Sequence, residues 1–68
     1  MTVKMSLHLS PQTNEMLEEL CEQNHITKSD FLRKSIALMQ VALKNKEKGN
    51  HLVIVNDQGE KQGEIIGL

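Results

Sequence analysis

The first stretch of the chain alternates. Val3, Met5, Leu7 and Leu9 are apolar, and Lys4, Ser6 and His8 between them are polar. A period of two is the signature of a strand with one dry face and one wet face. The pattern therefore predicts a strand within residues 2–10. A helical period then takes over. Leu17, Leu20 and Cys21 share one face, flanked by Met16 and Thr13. Further on, Phe31, Leu32, Ser35, Ile36, Leu38, Met39, Ala42 and Leu43 form a wide apolar stripe at helical spacing. The pattern changes again after Asn50. His51-Leu52-Val53-Ile54-Val55 is β-rich, Asn56-Asp57-Gln58-Gly59 is a turn signal, and Gln62 to Ile66 can return as a second strand. Gly63 and Gly67 weaken that second arm, so the expectation is a short C-terminal β-hairpin or a flexible tail.

The boundaries carry their own signals. Ser10 followed by Pro11 is the favoured order at a helix start, with Glu15 close behind in line with the macrodipole. The first helix is expected from about Pro11 to Gln23, with Asn24-His25 as the connecting turn. Thr27-Lys28-Ser29-Asp30 fits a capping box in which Thr27 caps and Asp30 reaches back. Ile26 and Phe31 stand in the positions of a hydrophobic staple. Lys44, Lys46 and Lys48 suit the last turn of this second, longest helix, and Gly49 suits a left-handed cap.

A lone strand leaves its backbone N–H and C=O groups unpaired. No second strand follows the first within hairpin distance, so the simplest partner is the same strand from another copy of the chain. Length points the same way. At 68 residues the chain forms one thin core and needs reinforcement from disulfides, metals or oligomerisation. One cysteine, Cys21, rules out an internal disulfide, and Cys21, His8, His25 and His51 show no short metal-ligand spacing. Cys21 reads as a small core residue of the first helix and His25 as a surface residue of the turn; spacing identifies no partner for His51. Oligomerisation remains, and the width of the stripe on the long helix suits two neighbours, its own first helix and a second subunit. No metal and no cofactor are expected.

Net charge is −1, from 8 Lys and Arg against 9 Asp and Glu, which taken alone argues against a nucleic-acid partner. The distribution changes that picture. The first helix carries Glu15, Glu18, Glu19 and Glu22 and no base. The strand and the start of the second helix carry Lys4, Lys28, Arg33 and Lys34 against Asp30. No apolar run is long enough to span a membrane, and no signal-peptide pattern opens the sequence; with the free cysteine, these point to a cytoplasmic protein. An enzyme is not expected: there is no Gly-rich phosphate loop, no nucleophile elbow, and too little chain for a closed pocket.

The order is strand, helix, helix and an appended tail. Residues 2–48 resemble the ribbon-helix-helix family of bacterial and phage repressors and antitoxins. The resemblance rests on the alternating strand Val3 to Leu9, on Leu9-Ser10-Pro11, on Leu17-Glu18-Glu19-Leu20, and above all on Ile26-Thr27-Lys28-Ser29-Asp30-Phe31-Leu32-Arg33-Lys34-Ser35-Ile36. One departure is a single long cation on the strand, Lys4, where many relatives have more. The implied fold is mostly α. It is a ribbon-helix-helix domain over residues 1–48, an intertwined homodimer with an intermolecular antiparallel two-stranded ribbon, followed by the hairpin or tail at 49–68.

In such a ribbon the apolar residues face the helices, while Lys4, Ser6 and His8 of each copy face outward. A two-stranded ribbon fits the major groove, where each base pair shows a distinct donor and acceptor pattern. Lys4 can donate to guanine O6 and N7, Ser6 can donate or accept, and His8 does either according to its tautomer. The two-fold symmetry calls for a palindromic operator in double-stranded DNA. At the second helix start, the backbone N–H groups and side chains of Thr27, Lys28 and Ser29 can hold a phosphate, as the same helix start does in the family. Arg33 and Lys34 are ambiguous, either a solvated face or a reach to the flanking backbone. The plain alternatives are a solvated strand face and an ordinary capped helix.

The leading functional expectation is thus a dimeric, sequence-specific transcriptional regulator, in practice a repressor. The alternative is an antitoxin that binds DNA for autoregulation and captures a toxin protein with its C-terminal tail. The tail is shorter and less charged than toxin-binding tails of the family, which puts the regulator first. The same apolar tail could instead pack on the long helices or pair between dimers to give a tetramer. A third possibility is a dimer that only assembles and binds no DNA.

Overall fold

A computed structural model describes residues 1–68. Four elements form in the order α1 (Pro11–Gln23), α2 (Lys28–Glu47), β1 (Leu52–Val55) and β2 (Lys61–Ile65). The architecture is mixed α/β, two helices and a two-stranded antiparallel sheet, rather than mostly α. Two compact units divide the chain, Met1–Phe31 and Leu32–Leu68.

The first unit opens with ten residues that form no strand. The expected ribbon strand is therefore absent from the elements of the single chain, and no ribbon precedes the helices. The physical reason is that a β-ladder needs a second strand, and β1 and β2 of this chain pair with each other. Ser10, with an extended backbone (φ −64°, ψ 155°), then caps α1; its Oγ accepts from Thr13 N–H at 3.2 Å. Pro11 follows with its ring-fixed φ and no orphan N–H to satisfy. The first turn holds no acidic residue, because Glu15 lies one residue beyond it, where the dipole effect has fallen off.

The end of α1 is more specific than its sequence suggested. Ile26 N–H donates to the Cys21 carbonyl at 3.0 Å and His25 N–H to the Glu22 carbonyl at 3.3 Å. These two bonds are the Schellman pattern, with His25 at its left-handed position (φ 52°). Asn24 adds a side-chain bond from Nδ2 to the Leu20 carbonyl at 2.8 Å. Thr27 then caps α2, its Oγ1 accepting from Asp30 N–H at 3.1 Å and its carbonyl from Phe31 N–H at 2.9 Å. The expected capping site stands where the sequence placed it.

The second unit carries most of α2 and the hairpin. α2 ends on the same Schellman geometry: Asn50 N–H donates to the Asn45 carbonyl at 2.8 Å, Gly49 N–H to the Lys46 carbonyl at 3.0 Å, and Gly49 has φ 79°. The expected left-handed cap is present. Lys44 and Lys46 sit in the last turn, where positive charge opposes the dipole. The tail is a hairpin with register Leu52↔Ile65, Val53↔Glu64, Ile54↔Gly63 and Val55↔Lys61, so Gln62 is the extra residue of a β-bulge. Asn56 closes the turn: its Oδ1 accepts from Gln58 N–H at 3.0 Å and Glu60 N–H at 2.9 Å, and Gly59 adopts φ 80°. A turn followed by a left-handed glycine is a favoured way to close a three-residue hairpin loop.

Little apolar surface is buried. Cys21 on α1 is buried in the first unit, where Leu17, Ile26 and Phe31 are half-buried. Ala42 on α2 is buried in the second, where Leu52 and Leu68 are half-buried. Leu32, Ile36, Met39 and Leu43 follow one another at intervals of four, three and four along α2, yet all four are exposed, Ile36 to 60%. That spacing draws them into one stripe of the kind that seals a helix against a second helix.

The two helix ends allow a direct comparison of the same motif with different residues. Replacing His25 by Gly removes a Cβ from a left-handed position and is expected to raise stability by about 0.5–1 kcal/mol. Gly49→Ala is expected to lower it by about 1 kcal/mol through the backbone alone, because a Cβ there meets nothing within 4 Å. Urea unfolding at matched protein concentration measures both.

Candidate nucleic-acid interface

All six residues expected to contact DNA lie in the first unit, Met1–Phe31. Lys4, Ser6 and His8 occupy the segment before α1, and all three are exposed. No hydrogen bond or ion pair holds any of them, so their polar atoms are available to a ligand. The apolar residues that alternate with them are also exposed, from Val3 at 86% through Met5 at 74% and Leu7 at 55% to Leu9 at 40%. Exposure falls steadily toward the helix. A fully covered side chain of this size is worth about 1.5–3 kcal/mol, so four uncovered ones leave a large unmet demand for a partner surface.

Thr27, Lys28 and Ser29 lie together at the start of α2 and are exposed. The first N–H groups of a helix have no intrahelical partner and sit at its positive end, which makes this an anion-favouring position in general terms. Two details qualify it. Thr27 Oγ1 already accepts from Asp30 N–H, so one of the orphan donors is satisfied internally. Lys28 Nζ is held by Glu18 Oε1 at 3.2 Å, an ion pair exposed on both sides. The expected phosphate-holding cation thus rests against an α1 carboxylate, which also accepts from Asn14 Nδ2 at 3.4 Å. Exposed pairs of this kind contribute about 0.2–1 kcal/mol and exchange readily with other anions. Arg33 and Lys34, one turn on along α2, are exposed as well.

Glu18 is the participant that sequence reasoning missed. It stands ten residues before Lys28, beyond any local helical spacing rule. Only the length and handedness of the Asn24–Thr27 connection bring the two together. The charge segregation along the sequence was a partial signal, since it set an acidic α1 beside a basic α2 start.

No group of three or more His, Cys, Asp and Glu side chains converges to hold a metal ion. No helix is long and apolar enough to cross a membrane. Comparison of the chain with protein-family models, with curated proteins and with solved structures finds no match.

The cap at Thr27 has a measurable weight. Thr27→Ala removes the acceptor for Asp30 N–H and is expected to cost about 1 kcal/mol of stability. Thr27→Ser keeps the acceptor and is expected to stay within about 0.5 kcal/mol of the original. Thermal or urea unfolding of the two variants, compared side by side, checks the role of the hydroxyl.

Proposed function

We propose that the chain is a dimeric, sequence-specific DNA-binding regulator, a repressor working in the cytoplasm, with a ribbon-helix-helix domain over residues 1–48. The observation that carries this reading is the N-terminal segment. Its apolar alternates Val3, Met5, Leu7 and Leu9 are uncovered, its polar alternates Lys4, Ser6 and His8 are unengaged, and it leads directly into two well-capped helices. Pairing two such segments antiparallel would satisfy one edge of each backbone and turn both apolar sets to one side. The exposed Leu32, Ile36, Met39 and Leu43 of α2 supply further apolar surface for the same association.

On the outer side of that ribbon, Lys4, Ser6 and His8 of each copy read base edges in the major groove. The starts of the two α2 helices hold the flanking phosphates with Thr27, Lys28 and Ser29. Each good base contact contributes roughly 1–3 kcal/mol of discrimination, so the ribbon chooses the sequence. Each neutralised phosphate adds sequence-independent, salt-sensitive affinity.

A second reading, an antitoxin with the hairpin as its toxin-binding part, draws on the exposed Ile54, Ile65 and Ile66. A small toxin-like reading frame abutting or overlapping this one would put it first.

The test begins with selection of genomic fragments by the purified protein at moderate salt, which delivers the operator if there is one. A palindromic consensus is expected; recovery of no sequence preference, together with no retarded DNA at low salt, sinks the proposal. With the operator in hand, a Lys4→Ala, His8→Ala double variant is expected to keep its mass and helix content. Its preference for operator over scrambled DNA should fall at least tenfold. Glu18→Gln frees Lys28 and is expected to tighten operator and scrambled DNA alike. The slope of log affinity against log salt should steepen by about 0.9 for each additional phosphate that the freed lysines neutralise. Band-shift titrations over a salt series measure both.

A further inference from the structure

The hairpin at the end of the chain has two edges of opposite character. β2, Lys61–Ile65, is blunted against further pairing: it carries Lys61 and Glu64, a glycine at 63 and the bulge at Gln62. These are the devices that keep a sheet edge from recruiting another strand. β1, Leu52–Val55, carries none of them. Its sequence Leu-Val-Ile-Val has no charge, no proline, no glycine and no extra residue, and its one hydrogen-bonded neighbour is β2. Of the four, Val53, Ile54 and Val55 are exposed. Main-chain hydrogen bonds would hold any strand added here, and the side chains choose among strands; beside Leu-Val-Ile-Val an uncharged β-branched strand of the same length, such as β1 itself, matches better than a charged one.

We propose that β1 is a self-association edge, along which β1 strands of two copies pair antiparallel and join two hairpins into one four-stranded sheet.

The symmetry supports a second copy as the occupant. When Val53 sits opposite Val53 of the other copy, the two-fold axis runs perpendicular to the sheet and like faces stay together. Leu52, Ile54 and Ile65 then fall on a single face from both copies, with Gly63 between them. Val53, Val55, Lys61 and Glu64 fall on the other. A register shifted by one residue would place the apolar face of one hairpin beside the mixed face of its neighbour. The charges of β2 end up on the two outer edges of the larger sheet, where they prevent further growth. The pairing therefore closes at two copies instead of running on as a fibre. It requires nothing of residues 1–48 and is independent of DNA binding; where those residues also dimerise, it links dimers in pairs.

The register yields a specific test. Val53 lies opposite Glu64 within the hairpin, so Val53→Lys places opposite charges across β1 and β2 and is compatible with the hairpin. The same substitution sets two ammonium groups against each other across the two-fold axis. Sedimentation equilibrium on the full chain is expected to show the V53K protein at half the mass of the original, whether that original mass is two or four times 7.7 kDa. A second variant, Val53→Glu with Glu64→Lys, reverses both charges and keeps the hairpin pair. Alone it is expected at the halved mass as well. Mixed in equal amounts with V53K, it is expected to restore the original mass through Lys–Glu contacts at the axis. An unchanged mass for V53K overturns the proposal. A halved mass that mixing fails to restore also overturns it, and points to a different occupant of the edge, such as the alternating segment Val3–Leu9 of another copy or an unrelated protein. Loss of operator binding has no bearing on these masses, so failure here and failure of the DNA-binding reading are read from separate measurements.

Discussion

Uncovered apolar surface is the constraint on which everything else in this chain depends. Its helices are capped at both ends and its hairpin is closed by a well-bonded turn, so local structure is well determined. Yet the buried apolar residues are Cys21 and Ala42, two of the smallest side chains available. Hydrophobic burial is the main favourable term in folding, and it scales with the area removed from water. Caps and turns contribute about a kilocalorie each and settle where elements begin and end. They do not hold a domain together. The proposed association is what would supply the missing burial.

That demand organises the functional reading. Three separate surfaces are left uncovered: the alternating segment before α1, the Leu32–Ile36–Met39–Leu43 stripe of α2, and the β1 edge with the apolar face of its hairpin. Each has the geometry of an element that completes itself with a partner. An alternating segment completes a ladder, a stripe at four-and-three spacing completes a helix pair, and a bare edge completes a sheet. In the first of these the polar alternates point away from whatever covers the apolar ones. Covering the dry side of the segment is what would commit Lys4, Ser6 and His8 to a common outward face, so in the proposed reading assembly and recognition would be two sides of one segment.

The sequence made the helices legible because their signals are local. Ser10-Pro11, Thr27 followed by Asp30, and Gly49 each act within one turn, and α1 spans Pro11–Gln23 as the period and caps predicted. The hairpin was legible from Asn56-Asp57-Gln58-Gly59 for the same reason, although β2 begins at Lys61, one residue earlier than expected. What stayed hidden was non-local or atypical. The left-handed end of α1 is occupied by His25 where glycine is the usual signal. The bulge at Gln62 follows from how two strands meet, which neither strand encodes alone. The Glu18–Lys28 pair depends on the path of the connecting turn. The strand before α1 was predicted from its alternation, but alternation records which face wants to be dry and says nothing of whether a ladder exists in one chain. On the site itself, exposure of all six residues was foreseeable, whereas the engagement of Lys28 and of the Thr27 hydroxyl was not.

Asn56 bonds two backbone N–H groups of its own turn, and with them the hairpin sets its register within a few residues. Contacts so local form fast, with hairpins closing on a scale of about 1–10 μs. Encounters between separate copies at cellular concentrations are slower by orders of magnitude. The β1 edge is consequently set by the chain's own turn, and the proposed docking strip needs no encounter to define its register. The charges and the bulge on β2 then act as chaperoning features built into the sequence: they leave one side of the young hairpin open to pairing and keep the other shut.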